Sequence, residues 1–295
     1  MACPLCADDR IGPSWLGSVF HDGREFPYVQ CLSCKSLYCD PMPGEEVLAE
    51  MYGPRARAYW EADTGEDHSR DQRSVIDVLR SLRPGVFLDY GCGNGSLLKD
   101  ARELGWQALG VEFDPEIAAL VESKTRIKVV AKSSEYLAGS RRIADVLHLG
   151  DVLEHLTKLD QEMPEILELV KSNGYLVATG PLEANATLFN VVLRSVRSVR
   201  RRWHRSEVPP RHVMLATAQG QRRLFQRFKL QEVSFCVSEV SWPAPNSLSH
   251  VELKSPRRVG LFLLSRFSRG ISWLNRNRWG NRYFYVGSLG TERAL

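Results

Sequence analysis

The chain has 295 residues, 43% of them hydrophobic and 25% charged, with a formal net charge of +4. No stretch approaches the ~20 apolar residues of a membrane-spanning helix, and the longest apolar run, near Val259, is broken by Arg266. The opening MACPLCADDR lacks a basic region followed by an apolar run, so no secretory signal is expected, and the seven cysteines suit a metal in a reducing cytoplasm better than a disulfide framework.

In chain order, residues 1–44 carry two cysteine pairs, CPLC (Cys3, Cys6) and CLSC (Cys31, Cys34), among short β-like stretches. The spacing C-x2-C-x24-C-x2-C lets two turns wrap one tetrahedral zinc and supply four thiolates. Four cysteines close the coordination sphere. The Zn2+ expected here is therefore structural, and lets ~40 residues fold that bury too little apolar surface alone. Cys39, Cys92 and Cys236 read as packing residues. PMPG at 41–44 marks a boundary, and 45–83 reads as a polar helical lid or linker with aromatics at Tyr52, Tyr59 and Trp60.

From Pro84 onward, apolar runs alternate with helical stretches. VFLDY leads through glycines into SLLKDARELG; WQALGVEF leads into DPEIAALVESK; IKVV follows. ADVLHLGD leads into helical VLEHLTKLDQEMPEILELVK, then comes NGYLVATG, and QEVSFCV and RYFYVGS supply the last two strands. This alternation predicts an α/β fold: a Rossmann-like, mostly parallel sheet of seven strands with helices on both faces. It occupies 84–295, with basic helical insertions at about 185–205 and 250–280.

The glycine turn has the form D-x-G-x-G-x-G, with Asp89, Gly91, Gly93 and Gly95. The dinucleotide fingerprint is G-x-G-x-x-G, and here the third glycine comes one position early. Charge separates the possible ligands. A carboxylate at the strand end repels a pyrophosphate, since two like charges ~4 Å apart cost roughly 1–4 kcal/mol. The same carboxylate favours a ligand bearing an ammonium and a sulfonium, which is S-adenosyl-L-methionine. Glu112 ends the second strand, where a carboxylate can accept both ribose hydroxyls. Phe113 is expected against the adenine face and Ser133 and Ser134 at its edge. Asn94, Asp114 and Asp151 complete the expected cofactor set at the carboxyl ends of strands.

Two histidines are candidates for a general base. Asp151, Glu154 and His155 follow the fourth strand at i, i+3 and i+4 and so share one helical face, expected to open beside the methyl donor, which makes His155 one candidate. His212, in VPPRHV, follows two prolines that stiffen its loop. His148 lies between apolar neighbours in a strand and is expected to be buried.

LDYGCGNG, VEFDP, ADVLHLGDVLEHL and NGYLVATGP resemble the successive motifs of class I S-adenosylmethionine-dependent methyltransferases. The resemblance is closest to the ubiquinone-type O-methyltransferase branch, through LEHL at 153–156. CPLC…CLSC followed by LYCDPMP is similar to zinc-ribbon-bearing members that act on sugars, glycans or natural products. RHVMLATAQGQRRLFQRFKLQEV resembles the family's histidine-plus-helix segment. The resemblance implies methylation of a sugar, glycan or small molecule, with oxygen ahead of carbon as acceptor. There are two departures. KSSEY, with Lys132, stands where the family has an acid after the third strand, and Arg211 replaces the aromatic or acid before the histidine.

Arg194, Arg197 and Arg201 form one helical stripe beside Val191, Val192, Val196 and Val199. Residues 254–282 add Lys254, Arg257, Arg258, Arg266, Arg269, Arg276, Arg278 and Arg282 with no acidic residue between. Three readings stay open. One is a solvated cationic face. Another is a surface drawn to anionic lipid, with Leu261, Phe262, Leu264, Phe267, Ile271, Trp273 and Leu274 as its apolar part. The third is a site for a phosphate-linked acceptor. The runs lack interleaved aromatics for base stacking, so nucleic acid is not the expected partner. An RNA methyltransferase and a non-catalytic cofactor-binding scaffold are the alternative functions. The expected location is the cytoplasm, at the inner membrane face under the lipid reading.

Overall fold

The computed structural model describes residues 2–52, 68–201, 210–240, 255–274 and 279–290. Of the sequence features above, Tyr59, Trp60, Lys254, Arg276 and Arg278 lie outside them. The chain divides into two compact units: 1–42 with 181–223 and 235–283, and 43–180 with 224–234 and 284–295.

The first unit begins with β1 (Ile11–His21), β2 (Arg24–Cys31) and β3 (Leu37–Cys39), antiparallel neighbours in sequence order. In the second unit, α1 (Glu45–Tyr52) and α2 (His68–Ser81) precede the alternating region. There follow β4 (Val86–Tyr90), α3 (Ser96–Glu103), β5 (Gln107–Glu112), α4 (Pro115–Thr125), β6 (Val129–Ala131) and α5 (Glu135–Gly139). Next come β7 (Ala144–Gly150), α6 (Leu159–Glu168) and β8 (Val170–Pro181). The later chain supplies α7 (Leu188–Arg201), β9 (Met214–Leu215), α8 (Ala218–Arg227), β10 (Leu230–Ser238), α9 (Pro256–Leu274) and β11 (Arg282–Leu289).

The expected seven-stranded sheet is present, in the order β10-β11-β8-β7-β4-β5-β6. Its strands from β4 to β8 pair in parallel. Phe87, Leu88, Asp89 and Tyr90 of β4 are all buried, as a central parallel strand covered on both faces requires. Val75 and Leu79 of α2 pack with Phe87, Leu98, Trp106, Val121, Val146 and Val177 in the core of this unit. The order reverses at β4, with β5 on one side and β7 on the other. In open α/β sheets that reversal leaves a crevice at the carboxyl ends of the strands.

One stretch departs from expectation. The single helix expected from Val152 to Lys171 is instead a 3-10 turn at Leu153–His155, the helix α6, and a strand that has begun by Val170. Asp151 adopts φ +52 and its N–H bonds to the Thr179 carbonyl. A left-handed residue is not part of a right-handed α-helix, so Asp151 stands outside the turn that follows it. Asp151, Glu154 and His155 therefore do not share a helical face.

A smaller four-stranded sheet has the order β1-β2-β3-β9. The first three strands come from the cysteine-bearing segment, while β9 is supplied from about 175 residues further on (39 to 214) and pairs Leu37 with Leu215 and Tyr38 with Met214. Leu37, Tyr38 and Cys39, which make up β3, are fully buried.

Candidate functional site

The crevice at β4 and β7 is built from carboxylates and backbone amides. Asp89 and His148 are register partners on adjacent strands, and both are buried. His148 Nδ1 lies 2.8 Å from Asp89 Oδ1, so the imidazole orients the carboxylate that follows the strand's apolar run. The other ring nitrogen, Nε2, is buried without a hydrogen-bond partner among the described residues. A Cβ on Gly150 would stand 2.6 Å from His148 Cε1, so glycine at that position leaves room for the ring. His148 was expected only to be buried; the Gly150 two residues on was the available signal of something more.

Gly91, Gly93 and Gly95 all have positive φ. Gly93 is the informative one: a Cβ there would meet nothing within 4 Å, so the turn presents bare backbone to open space, room for a close-fitting ligand. Glu112, at the end of β5, accepts from Gly93 N at 2.9 Å and from Phe113 N at 2.8 Å. Burial pushes its carboxyl pKa up, while those two amide bonds pull against the shift. Phe113 is 48% exposed and offers an accessible aromatic face. The Lys132 ammonium lies 5.9 Å from the Phe113 ring centroid and is paired with Glu162.

The other expected cofactor residues have local duties. Asn94 Oδ1 accepts from Ser96 N, and Asp114 caps α4 through Glu116 N and Ile117 N. Ser134 caps α5 through Leu137 N, and Ser133 immediately precedes it. Asp89, the glycine turn, Glu112 and Phe113 thus gather at one end of the sheet, bringing two carboxylates, backbone amides and an exposed aromatic ring together. His155, in the 3-10 turn, has Nε2 3.9 Å from Glu154 Oε1, too far for a hydrogen bond.

In the other unit, the four cysteines converge. Cys3 and Cys34 Sγ are 3.7 Å apart, Cys6 and Cys31 3.6 Å, and all four lie within 4.8 Å of one another. A tetrahedral Zn–S bond of ~2.3 Å places sulfurs about 3.8 Å apart, so this donor set fits zinc. The two CxxC turns match each other. Ala7 N bonds to Cys3 O and Lys35 N to Cys31 O, and Ala7 and Lys35 both have positive φ. The hydrogen bond between the Cys3 and Cys34 sulfurs pulls the Cys34 thiol down and pushes the Cys3 thiol up, as two neighbouring thiols sharing one proton would.

The same small sheet carries His212. Tyr28 Oη donates to the His212 carbonyl at 2.7 Å, and Cys39 N donates to the Val213 carbonyl at 2.9 Å. The Thr217 hydroxyl donates to the Cys34 carbonyl, and Thr217 N to Ser36 Oγ. The segment bearing His212 is therefore held by the cysteine turns. Its Nδ1 is 2.7 Å from Glu183 Oε2. A carboxylate at Nδ1 favours the tautomer that carries its proton there, which makes Nε2 the basic nitrogen. Glu183 was not singled out in the sequence, since nothing local marks it. Arg194 is not part of a solvated face. It is half-buried, lies 4.3 Å from the Trp15 ring and bonds to the Glu183 and Asn185 carbonyls, and desolvation lowers its pKa to about 10. The side chains of Arg197 and Arg201 lie outside the described ones.

Comparison with known proteins agrees with this geometry. A methyltransferase-domain family matches residues 68–234, more than half of the chain. The chain is 32% identical over 131 residues to the ribosomal protein L11 methyltransferase of Thermus thermophilus, covering 42% of this chain and 50% of that protein. It is 27% identical over 126 residues to the ubiquinone biosynthesis O-methyltransferase of Pelagibacter ubique, covering 41% of this chain and 51% of that one. The chain thus spans about half the length of the curated relatives it matches. Among solved structures, a chain of the Haloferax volcanii complex between the Trm112 methyltransferase activator and a methyltransferase has a TM-score of 0.54. It is 13% identical and covers 81% of this chain and 97% of that one, a likeness of fold alone. The chain belongs to the class I S-adenosylmethionine-dependent methyltransferases, through the methyltransferase domain that matches residues 68–234.

Proposed function

We propose that the protein transfers a methyl group from S-adenosylmethionine to an oxygen of a small-molecule acceptor, of the sugar or glycan class. The observation that carries the cofactor is the pair of carboxylates, Asp89 and Glu112, beside a glycine turn that opens onto free space. A bound S-adenosylmethionine supplies an electrophilic methyl group on a sulfonium. Asp89, oriented by His148, would face the cofactor's ammonium, and Glu112 its ribose hydroxyls. Phe113 would lie along the adenine.

Transfer to oxygen also needs a proton removed. The Glu183–His212 pair supports His212 Nε2 as the group that takes it, leaving an imidazolium stabilised by the carboxylate. His155, in the 3-10 turn, is the second candidate. The name of the Pelagibacter relative supports a small-molecule oxygen acceptor. Zn2+ on Cys3, Cys6, Cys31 and Cys34 would be structural. It would fix the sheet that holds the His212 segment rather than touch the acceptor. Thiolate ligands also favour a reducing, cytoplasmic setting.

The first test is calorimetric titration of the zinc-replete protein with S-adenosylhomocysteine and, separately, NAD. Binding of S-adenosylhomocysteine alone is expected. Binding of NAD alone, or of neither, would overturn the cofactor assignment. Release of S-adenosylhomocysteine in the presence of sugar or phenolic acceptors then tests the transfer.

A further inference from the structure

We propose that the outward face of α9 docks the protein on an anionic membrane surface. The helix reverses the usual amphipathic arrangement. Its buried side is made of Ser265, Ser268 and Ser272, spaced i, i+3 and i+7. Ser268 and Ser272 tie the helix to its neighbours, whereas the Ser265 hydroxyl donates back to the Phe262 carbonyl of the same helix. The Ser268 hydroxyl donates to Glu239 Oε1 at 2.9 Å and accepts from Phe189 N at 3.3 Å. The Ser272 hydroxyl donates to the Trp279 carbonyl.

Leu261, Phe262, Leu264 and Ile271 are half-buried, and four other large apolar side chains are left outward. At ~100° per residue, Leu263, Phe267 and Leu274 fall within about 40° of one another, opposite the serines. They are 60%, 65% and 74% exposed, and Trp273, about 80° round from Leu263 on the side of Arg266, is 66% exposed. An exposed apolar stripe of this kind marks an interaction surface. No helix among the described residues is long and apolar enough to cross a membrane, so α9 would lie in the interfacial plane.

Charge selects the occupant. Arg257 and Arg258 lie in the first turn, Arg266 flanks the stripe about 60° from Leu263, Arg269 lies nearer the serine side, and α9 contains no acidic residue. Arg266 sits 6.0 Å from the Phe262 ring, its charge held beside apolar surface. A second copy on a two-fold axis would set these arginines against their own equivalents. An anionic lipid surface accepts both parts: acyl boundary for Leu263, Phe267, Trp273 and Leu274, and headgroup charge for the arginines.

Vesicle co-sedimentation of the full-length, zinc-replete protein tests this. Vesicles of phosphatidylcholine with phosphatidylglycerol should bind at least ~tenfold more protein than phosphatidylcholine alone, and salt should weaken the binding. Leu263→Ser with Phe267→Ser should reduce binding by about tenfold, as should Arg257→Gln with Arg266→Gln. S-adenosylhomocysteine affinity and melting temperature should hold in both variants, which separates lost docking from lost folding. Equal binding to both vesicle types would overturn the proposal, as would anionic preference unchanged in the serine variant. Self-association that the serine variant abolishes, without vesicle binding, would assign the face to a second copy instead.

Discussion

Glu112→Gln probes the cofactor crevice at its most constrained group. The carboxylate accepts two backbone amides, from Gly93 and from Phe113, and one of those bonds holds the turn that must receive the ligand. An amide of the same size replaces one carboxylate oxygen with an NH2 group. One of the two amide donors then faces another donor, which costs stability, and the cofactor's ribose diol loses one charge-assisted acceptor, which costs affinity. Such bonds are worth about 1.5–3 kcal/mol. At 1.4 kcal/mol per tenfold, affinity for S-adenosylhomocysteine should fall about 10- to 100-fold. The pH dependence adds a second readout. Burial raises the Glu112 pKa, so binding that needs the carboxylate is complete above that raised value and weakens as pH falls through it. Glu112→Gln should lack that acid limb. Isothermal titration from mildly acidic to neutral pH reads both effects, with thermal melting to confirm the fold. A variant that binds within twofold of the parent at neutral pH, with the same pH profile, would refute the role given to Glu112.

His212→Ala should slow methyl transfer by ~10²–10⁴ at unchanged S-adenosylhomocysteine affinity, and Glu183→Gln by about 10- to 100-fold; steady-state kinetics with an accepted acceptor reads both, and full activity in His212→Ala would move the base elsewhere. Removing zinc with a strong chelator, or Cys34→Ser, should release one metal per chain by elemental analysis and lower the melting temperature, while β9 loses its hydrogen-exchange protection; intact protection without metal would deny the zinc its structural role. His148→Phe deprives the buried Asp89 of its hydrogen-bond partner and should cost about 1–3 kcal/mol in urea unfolding as well as cofactor affinity. Glu239 is pushed up to about 7 by burial, against hydrogen bonds from Ser268 and Thr187. The folded protein therefore holds this proton after the unfolded chain has lost it near pH ~4.5, and stability declines as pH rises from there to about 7, by up to about 3 kcal/mol; Glu239→Gln should flatten that slope in thermal melts.

Local chemistry was readable from the chain alone. The apolar runs of β4, β5, β7 and β8 and the helices between them announce a parallel sheet because each pattern is short-range. Asp89, the glycines and Glu112 carry their meaning in spacing and charge, and the paired cysteines carry theirs in the reach of two tight turns. The junction at 151–155 was not readable. Its helical composition yields to a bond between Asp151 N–H and the Thr179 carbonyl, 28 residues away by their numbers. Nor was β9, a two-residue strand with no pattern of its own that closes the cysteine-bearing sheet. The partnerships Asp89–His148 and Glu183–His212 join residues 59 and 29 positions apart. In α9 the apolar positions are plain in the sequence, but which face is buried depended on the hydrogen-bonding partners offered by Glu239, Phe189 and Trp279. Periodicity states how a segment's own residues are arranged, whereas the choice of partner across the chain is made by packing and hydrogen-bond satisfaction, which exist only once the units are assembled.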